Sequence, residues 1–125
     1  MDAPTQAATK EKSKYLTIQK KLEGMKAGSI KGIATKDTKD INSLNEPRYP
    51  QNKIYRESYK KGLKNQEEEI NKRIKELDDI IAKKSGAPQA RAETEKITKS
   101  NQLKKIEDLY NKMKSEKKRI KNLLK

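Results

Sequence analysis

The fold of this chain is decided by residues 54–124, which read IYRESYKKGLKNQEEEINKRIKELDDIIAKKSGAPQARAETEKITKSNQLKKIEDLYNKMKSEKKRIKNLL. Apolar residues recur in this stretch at the three- and four-residue spacing of amphipathic helices, with one interruption, SGAP, at 85–88. The stretch predicts two long helices joined by a break. Lysine, glutamate, isoleucine and leucine in these proportions also produce heptad-like runs by composition alone.

Each predicted helix carries one narrow apolar seam. The first seam, spaced 7, 4, 3 and 4, consists of Leu63, Ile70, Ile74, Leu77 and Ile81. The second seam, spaced 3, 4, 3, 7 and 4, consists of Leu103, Ile106, Tyr110, Met113, Ile120 and Leu124. The first set fits the a and d positions of a heptad, so the pattern indicates coiled-coil-like packing.

The break predicts that the chain folds back on itself. Gly86 suits the end of one helix, and Pro88 suits the first turn of the next. Folding back near residue 87 pairs residues at equal distances from the turn, and the pairs are apolar: Ile70 with Leu103, Leu63 with Tyr110, Tyr59 with Met113 and Ile54 with Ile120. This result favours an antiparallel hairpin over one rod, although another subunit could also supply the partner seam. The second arm is either one helix or two, because residues 98–101 have modest helix propensity.

Upstream of the hairpin, the sequence predicts three segments. Residues 1–8 are small and polar, and we expect them to be disordered. Residues 9–25 predict a short amphipathic helix, with an apolar face formed by Tyr15, Ile18, Leu22 and Met25. Residues 26–52 contain several glycines and prolines and predict an extended arm, either a linker or a strap against a partner.

The composition argues against a compact core. Hydrophobic residues make up 30% of the chain and charged residues 40%, with no Phe or Trp. Burying so few apolar residues does not offset the conformational entropy lost on folding, which costs about 1–2 kcal/mol per residue. We therefore predict an all-α, elongated antiparallel helical hairpin, residues 53–125, with a short N-terminal helix, an extended irregular arm and no globular core.

The chain is strongly basic, with 32 Lys and Arg against 18 Asp and Glu, a net charge of +14. The C-terminal tail is a candidate polyanion-binding site: Lys112, Lys114, Lys117, Lys118, Arg119, Lys121 and Lys125. The alternative is that these residues form an ordinary solvated helix face. Because 27 Lys stand against 5 Arg, we expect no sequence-specific recognition.

No constellation for catalysis is evident. With neither His nor Cys, the commonest general base and thiol nucleophile are absent, and no Gly-rich phosphate loop appears. We predict no enzymatic activity, no cofactor, no metal site and no small-molecule substrate; a cation between Asp78 and Asp79 lacks the spacing of a calcium loop. The start resembles no secretory signal, so we expect a soluble, non-secreted protein, cytoplasmic or within a particle.

These patterns favour a structural or assembly component of a large complex, such as a virion or ribosome-like nucleoprotein particle. The hairpin and the extended arm would bind protein subunits. The alternative is a free protein that binds nucleic acid through non-specific backbone contacts. A membrane-surface role for residues 9–25 is disfavoured, because their narrow apolar face lacks Trp and Phe.

Overall fold

The computed structural model describes residues 3–125 and contains only helices and connecting segments in that range. Its elements are α1 (Ala3–Glu23), α2 (Ala27–Thr38), a short 3₁₀ helix (Ile41–Ser43), α3 (Lys53–Lys83) and α4 (Ala87–Leu123). With 37 residues, α4 is about 55 Å long and is the longest helix in the part of the chain that the structure describes.

Helices α3 and α4 pack against each other as a helical hairpin. Three contacts join residues about equally far from Gly86: Asp78 Oδ1 to Lys96 Nζ (2.6 Å), Arg73 Nε to Glu95 Oε2 (2.6 Å), and the Tyr110 hydroxyl to the Lys60 carbonyl (3.5 Å). Gly86 has φ 70°, which glycine adopts without a Cβ clash, and Pro88 lies in the first turn of α4. Helix α4 runs through residues 98–101 without interruption.

The prediction of an extended arm over residues 26–52 is wrong for Ala27–Thr38, which form α2. Gly28 and Gly32 each lower helix propensity by about 1 kcal/mol relative to Ala. Ile30 and Ala34, one turn apart, are buried, and α2 packs on α3 of its own chain. Burial of this face overrides the local propensity. Of the predicted arm, Lys26 and residues 39–52 remain irregular, apart from the 3₁₀ turn, and both prolines of this segment, Pro47 and Pro50, are buried.

The prediction that the protein has no globular core is also wrong. Residues from all four helices and from the segment before α3 form one buried cluster: Leu22, Ile30, Ala34, Leu44, Tyr55, Tyr59, Leu63, Ile70, Ile106, Leu109 and Met113. Tyr55 and Tyr59 are fully buried and stack at 5.7 Å between ring centroids, and Tyr49 meets Tyr55 edge-on at 5.1 Å. These tyrosines supply the aromatic volume that Phe and Trp usually provide.

The N-terminal helix begins earlier than predicted. Helix α1 starts at Ala3, so residues 3–8, which we expected to be disordered, are helical; Met1 and Asp2 lie outside the described residues. Ala7 and Ala8 have the highest intrinsic helix propensity, which extends the helix beyond the apolar face that predicted it. Tyr15 and Leu22 from that face are buried, so the face that could have met a membrane packs inside the protein.

Candidate polyanion-binding surface

The predicted seam residues lie in or beside the α3–α4 contact. Six of them are buried, namely Leu63, Ile70, Leu77, Ile106, Met113 and Ile120. The other five are partly buried: Ile74, Ile81, Leu103, Tyr110 and Leu124. Sequence reasoning missed Leu109, which is 4% exposed and stands three residues after Ile106 and four before Met113. Leu109 and Tyr110 both stand at helical spacing from Ile106 and Met113, so spacing alone does not show which of them is the more buried.

The seven basic residues of the predicted tail are all exposed, and all but Lys117 divide between two sides of α4. On one side, Lys112 Nζ lies 2.5 Å from Glu46 Oε1, and Arg119 pairs with Glu11 and Glu116. That side is largely neutralised. The other side carries four lysines at spacings of 4, 3 and 4, none ion-paired within the described part of the chain: Lys114, Lys118, Lys121 and Lys125.

Several contacts hold the tail against the rest of the protein, at the hairpin end remote from Gly86. The side-chain Nε2 of Gln51 donates to the Lys117 carbonyl at 2.5 Å. The backbone N–H of Gln51 donates to the Tyr15 hydroxyl at 3.4 Å. Hydrogen bonds to Glu116 and Glu11 raise the pKa of Arg119. These contacts join α1, the segment before α3 and α4, so the basic tail is a fixed surface of the fold.

Charge is unevenly distributed between two parts of the molecule. We call residues 67–99 the distal half of the hairpin and the remaining described residues the body. The distal half contains eight basic and eight acidic side chains. The remainder of the chain contains 24 basic and 10 acidic side chains, so it carries the entire excess of +14. These counts can be read from the sequence, but only the fold shows that the two sets of charged side chains lie on different parts of the protein surface.

A buried polar cluster lies in the body where α2 ends, and sequence reasoning missed it. The Asp37 side chain is 1% exposed. Arg48 donates to it from Nε (3.1 Å) and Nη2 (2.6 Å), and the Tyr55 hydroxyl donates at 2.6 Å. The Asn45 amide donates to the Asp37 carbonyl at 2.9 Å, and the Tyr59 hydroxyl donates to the Asn45 carbonyl at 2.8 Å. No pattern in the sequence singles out Asp37 among the acidic residues.

The chemistry of this cluster is structural. Burial and the hydrogen bond to Asp37 raise the pKa of the Tyr55 hydroxyl well above its ordinary value, so it holds its proton. The guanidinium of Arg48 compensates the buried carboxylate. The cluster therefore ties the end of α2 and residues 45–48 to α3, and these residues belong to the segment predicted to be an extended linker or strap.

The structure provides no support for a metal site in the part of the chain that it describes. No group of three or more metal-ligating side chains occurs among the described residues. Asp78 pairs with Lys96 at 2.6 Å and Asp79 with Lys83 at 3.0 Å, so each of these carboxylates faces a lysine. In residues 3–125, no helix is both long and apolar enough to cross a bilayer.

Comparisons with protein-family models, with curated proteins and with solved structures found no match to this chain.

Proposed function

We propose that this protein is a non-enzymatic binder of nucleic acid that acts through non-specific contacts with the phosphate backbone. The observation that carries the proposal is the separation of charge, with the whole excess of +14 outside the distal half. Phosphates require positive charge and little else in geometry, and each neutralised phosphate releases condensed counterions. A body covered with exposed lysines meets that requirement.

The cations left for a partner are mainly lysines, because four of the five arginines bind within the protein. These contacts are Arg48 with Asp37, Arg56 with the Pro50 carbonyl, Arg73 with Glu95, and Arg119 with Glu11 and Glu116. The planar guanidinium is the group that reads guanine or grips phosphate with two hydrogen bonds. Lysine ammonium groups supply charge without that geometry, which supports binding independent of sequence.

The salt dependence of binding tests this proposal. Fluorescence anisotropy with labelled nucleic acid should show affinity that falls about 10³-fold or more between about 50 and 200 mM salt if six or more phosphates are contacted. Two unrelated sequences of equal length should bind equally. Absent binding at low salt, or affinity that does not change with salt, would contradict the proposal.

A second candidate is a role in a larger assembly, and one observation favours it. The distal half is neutral overall and carries Ile97 with 64% of its surface exposed. The extended arm no longer supports this candidate, because α2 packs on its own chain. Crosslinking mass spectrometry on material isolated under native conditions should then place partner crosslinks at residues 67–99. Crosslinks confined to the body would count against assembly through the hairpin.

A further inference from the structure

A second row of lysines lies on α3 beside the unpaired side of the tail. Lys53, Lys60 and Lys64 are spaced 7 and 4 residues apart, so they share a helix face. From Lys64, steps of 3 and 4 lead along the same face to Glu67 and Asn71, which line one wall of a groove between α3 and α4. The α3 lysines therefore extend that wall toward the open end of the hairpin.

The opposite wall of this groove continues into the tail. It is lined by Leu103, Glu107 and Tyr110, and the Tyr110 hydroxyl reaches the Lys60 carbonyl across the helix contact. From Glu107, spacings of 7, 4, 3 and 4 lead along one face of α4 to its four unpaired lysines. We name the two rows together the lysine track: Lys53, Lys60 and Lys64 on α3, and Lys114, Lys118, Lys121 and Lys125 on α4.

The lysine track lies on the side of the hairpin that the other elements leave open. On α3, Gly62 and Gln66 face the end of α2: Gln66 Nε2 donates to the carbonyls of Thr38 (3.0 Å) and Lys39 (2.7 Å). On α4, Gln102 contacts Asn42 of the 3₁₀ turn at 3.2 Å. The helical positions of the track residues differ from these covered positions, so the track faces solvent.

We propose that the lysine track is the nucleic-acid contact and that it favours a duplex over a single strand. This inference rests on the proposed function. Packed helices have axes about 8–10 Å apart, so the track presents two rows of charge in fixed register. A duplex offers two strands of phosphates held in place, and both rows can engage them. A flexible single strand contacts one row of lysines at a time, and it loses conformational entropy when it does so.

The track also lacks the groups that usually make single-strand binding favourable. Proteins that bind single strands gain about 1–3 kcal/mol per base from stacking on exposed aromatic rings. Here the aromatic residues are five tyrosines. Tyr15, Tyr55 and Tyr59 are buried, and Tyr49 and Tyr110 are partly buried, so no exposed aromatic ring is found in residues 6–125. Because no ring on this surface is fully exposed, base stacking is a minor contribution beside the charge of the lysines.

The test compares two variants of the full chain with equal loss of charge. The track variant changes Lys60, Lys64, Lys118 and Lys121 to Gln. The control variant changes Lys20, Lys21, Lys31 and Lys36 on α1 and α2, which are also exposed, to Gln.

Anisotropy titrations use a short duplex and a single strand of the same length across a salt series. We expect the track variant to lose more than tenfold in duplex affinity and about 3 to 4 from its logarithmic salt slope. The control should lose less than threefold.

The outcomes separate this inference from the function on which it rests. If the wild-type protein binds neither duplex nor single strand, both the proposed function and the lysine track are contradicted. Salt-dependent binding with equal losses in the two variants, or tighter binding of the single strand, overturns only the lysine track. Circular dichroism checks that both variants remain helical. Should the track variant unfold, the pair Lys114→Gln and Lys125→Gln near the chain end serves in its place, with Lys31→Gln and Lys36→Gln as the matched control.

Discussion

The distal half and the body contain parts of the same two helices, but different interactions stabilise them. In the distal half, Ile70 joins the buried cluster of the body, whereas Leu77 and Ala92 are buried outside it, and Arg73–Glu95 and Lys96–Asp78 pairs bridge α3 and α4. In the body, α1, α2 and residues 39–52 cover the hairpin and add a tyrosine-rich core. The distal half buries little apolar area and has a balanced charge. The body has a larger core, whose stability offsets the repulsion among its excess positive charges.

This difference indicates which part can carry an excess of charge for binding. Exposed ion pairs are screened by solvent and contribute little net stability, so the four pairs in the distal half do not replace a core. Regions with few buried apolar contacts open locally more often than the rest of a fold. We therefore expect the body to unfold cooperatively and the distal half to open at lower free energy.

The largest effect should come from truncating one buried leucine in each part. Leu63→Ala in the body should lower the free energy of unfolding by about 2–5 kcal/mol, because the surrounding core cannot collapse fully around the cavity. Leu77→Ala should lower the free energy of unfolding by less, and its effect should be confined to the distal half, because the contact between two helices can relax around the cavity. Urea denaturation gives the global loss, and hydrogen exchange locates it. Equal losses with identical exchange patterns would show that the two parts form a single cooperative unit.

The next effect concerns the buried cluster of the body. Asp37→Asn keeps the size of the side chain but removes the charge that Arg48 and Tyr55 bind. Hydrogen bonds to charged groups contribute about 1.5–3 kcal/mol, so the free energy of unfolding should fall by about that amount. Increased exchange at the end of α2 should accompany it, with residues 67–99 unchanged. Exchange that rises only in the distal half would contradict the assignment of the cluster to the body.

A smaller effect is expected at the close contact between α2 and α3. A Cβ at Gly62 would lie 1.9 Å from Thr38 Oγ1, and Thr38 is buried. Overpacking costs about 1–3 kcal/mol, and alanine returns about 1 kcal/mol of helix propensity, which leaves a net loss of up to about 2 kcal/mol for Gly62→Ala. Thermal denaturation should show the matched control Gly28→Ala unchanged or stabilised, since no atom lies within 4 Å of its added Cβ. Stabilisation by both substitutions would exclude tight α2 docking.

The smallest effect should appear in the distal half as a dependence on pH. Hydrogen bonding to Arg73 lowers the pKa of Glu95 below its ordinary value of about 4.5. A lowered pKa in the folded state means that this pair stabilises the protein above pH 4.5 and that the contribution is lost as pH falls through the folded-state pKa. Glu95→Gln should reduce the acid sensitivity of exchange near residues 73–95 slightly. Glu93→Gln, for which no ion pair occurs among the described residues, is the matched control.

Periodicity predicted much of the hairpin. Leu63, Ile70, Leu77, Ile106 and Met113 are buried, because residues at three- and four-residue spacing share a helix face that must be removed from water. Leu109 was missed because Tyr110 offered an apolar ring one position later. The basic tail was identified from composition, but its division into a neutralised and an unpaired side depends on Glu11 and Glu46, which are remote in sequence.

The sequence by itself determined the two long helices, the break at Gly86 and the excess of positive charge, since periodicity, turn chemistry and composition are local properties. Tertiary structure alone decided that residues 27–38 are helical. Their two glycines argue against a helix, and only burial of Ile30 and Ala34 against α3 overrides that preference. It also decided that tyrosines build a core and that lysines on two helices form one track, because both depend on contacts between residues far apart in the chain.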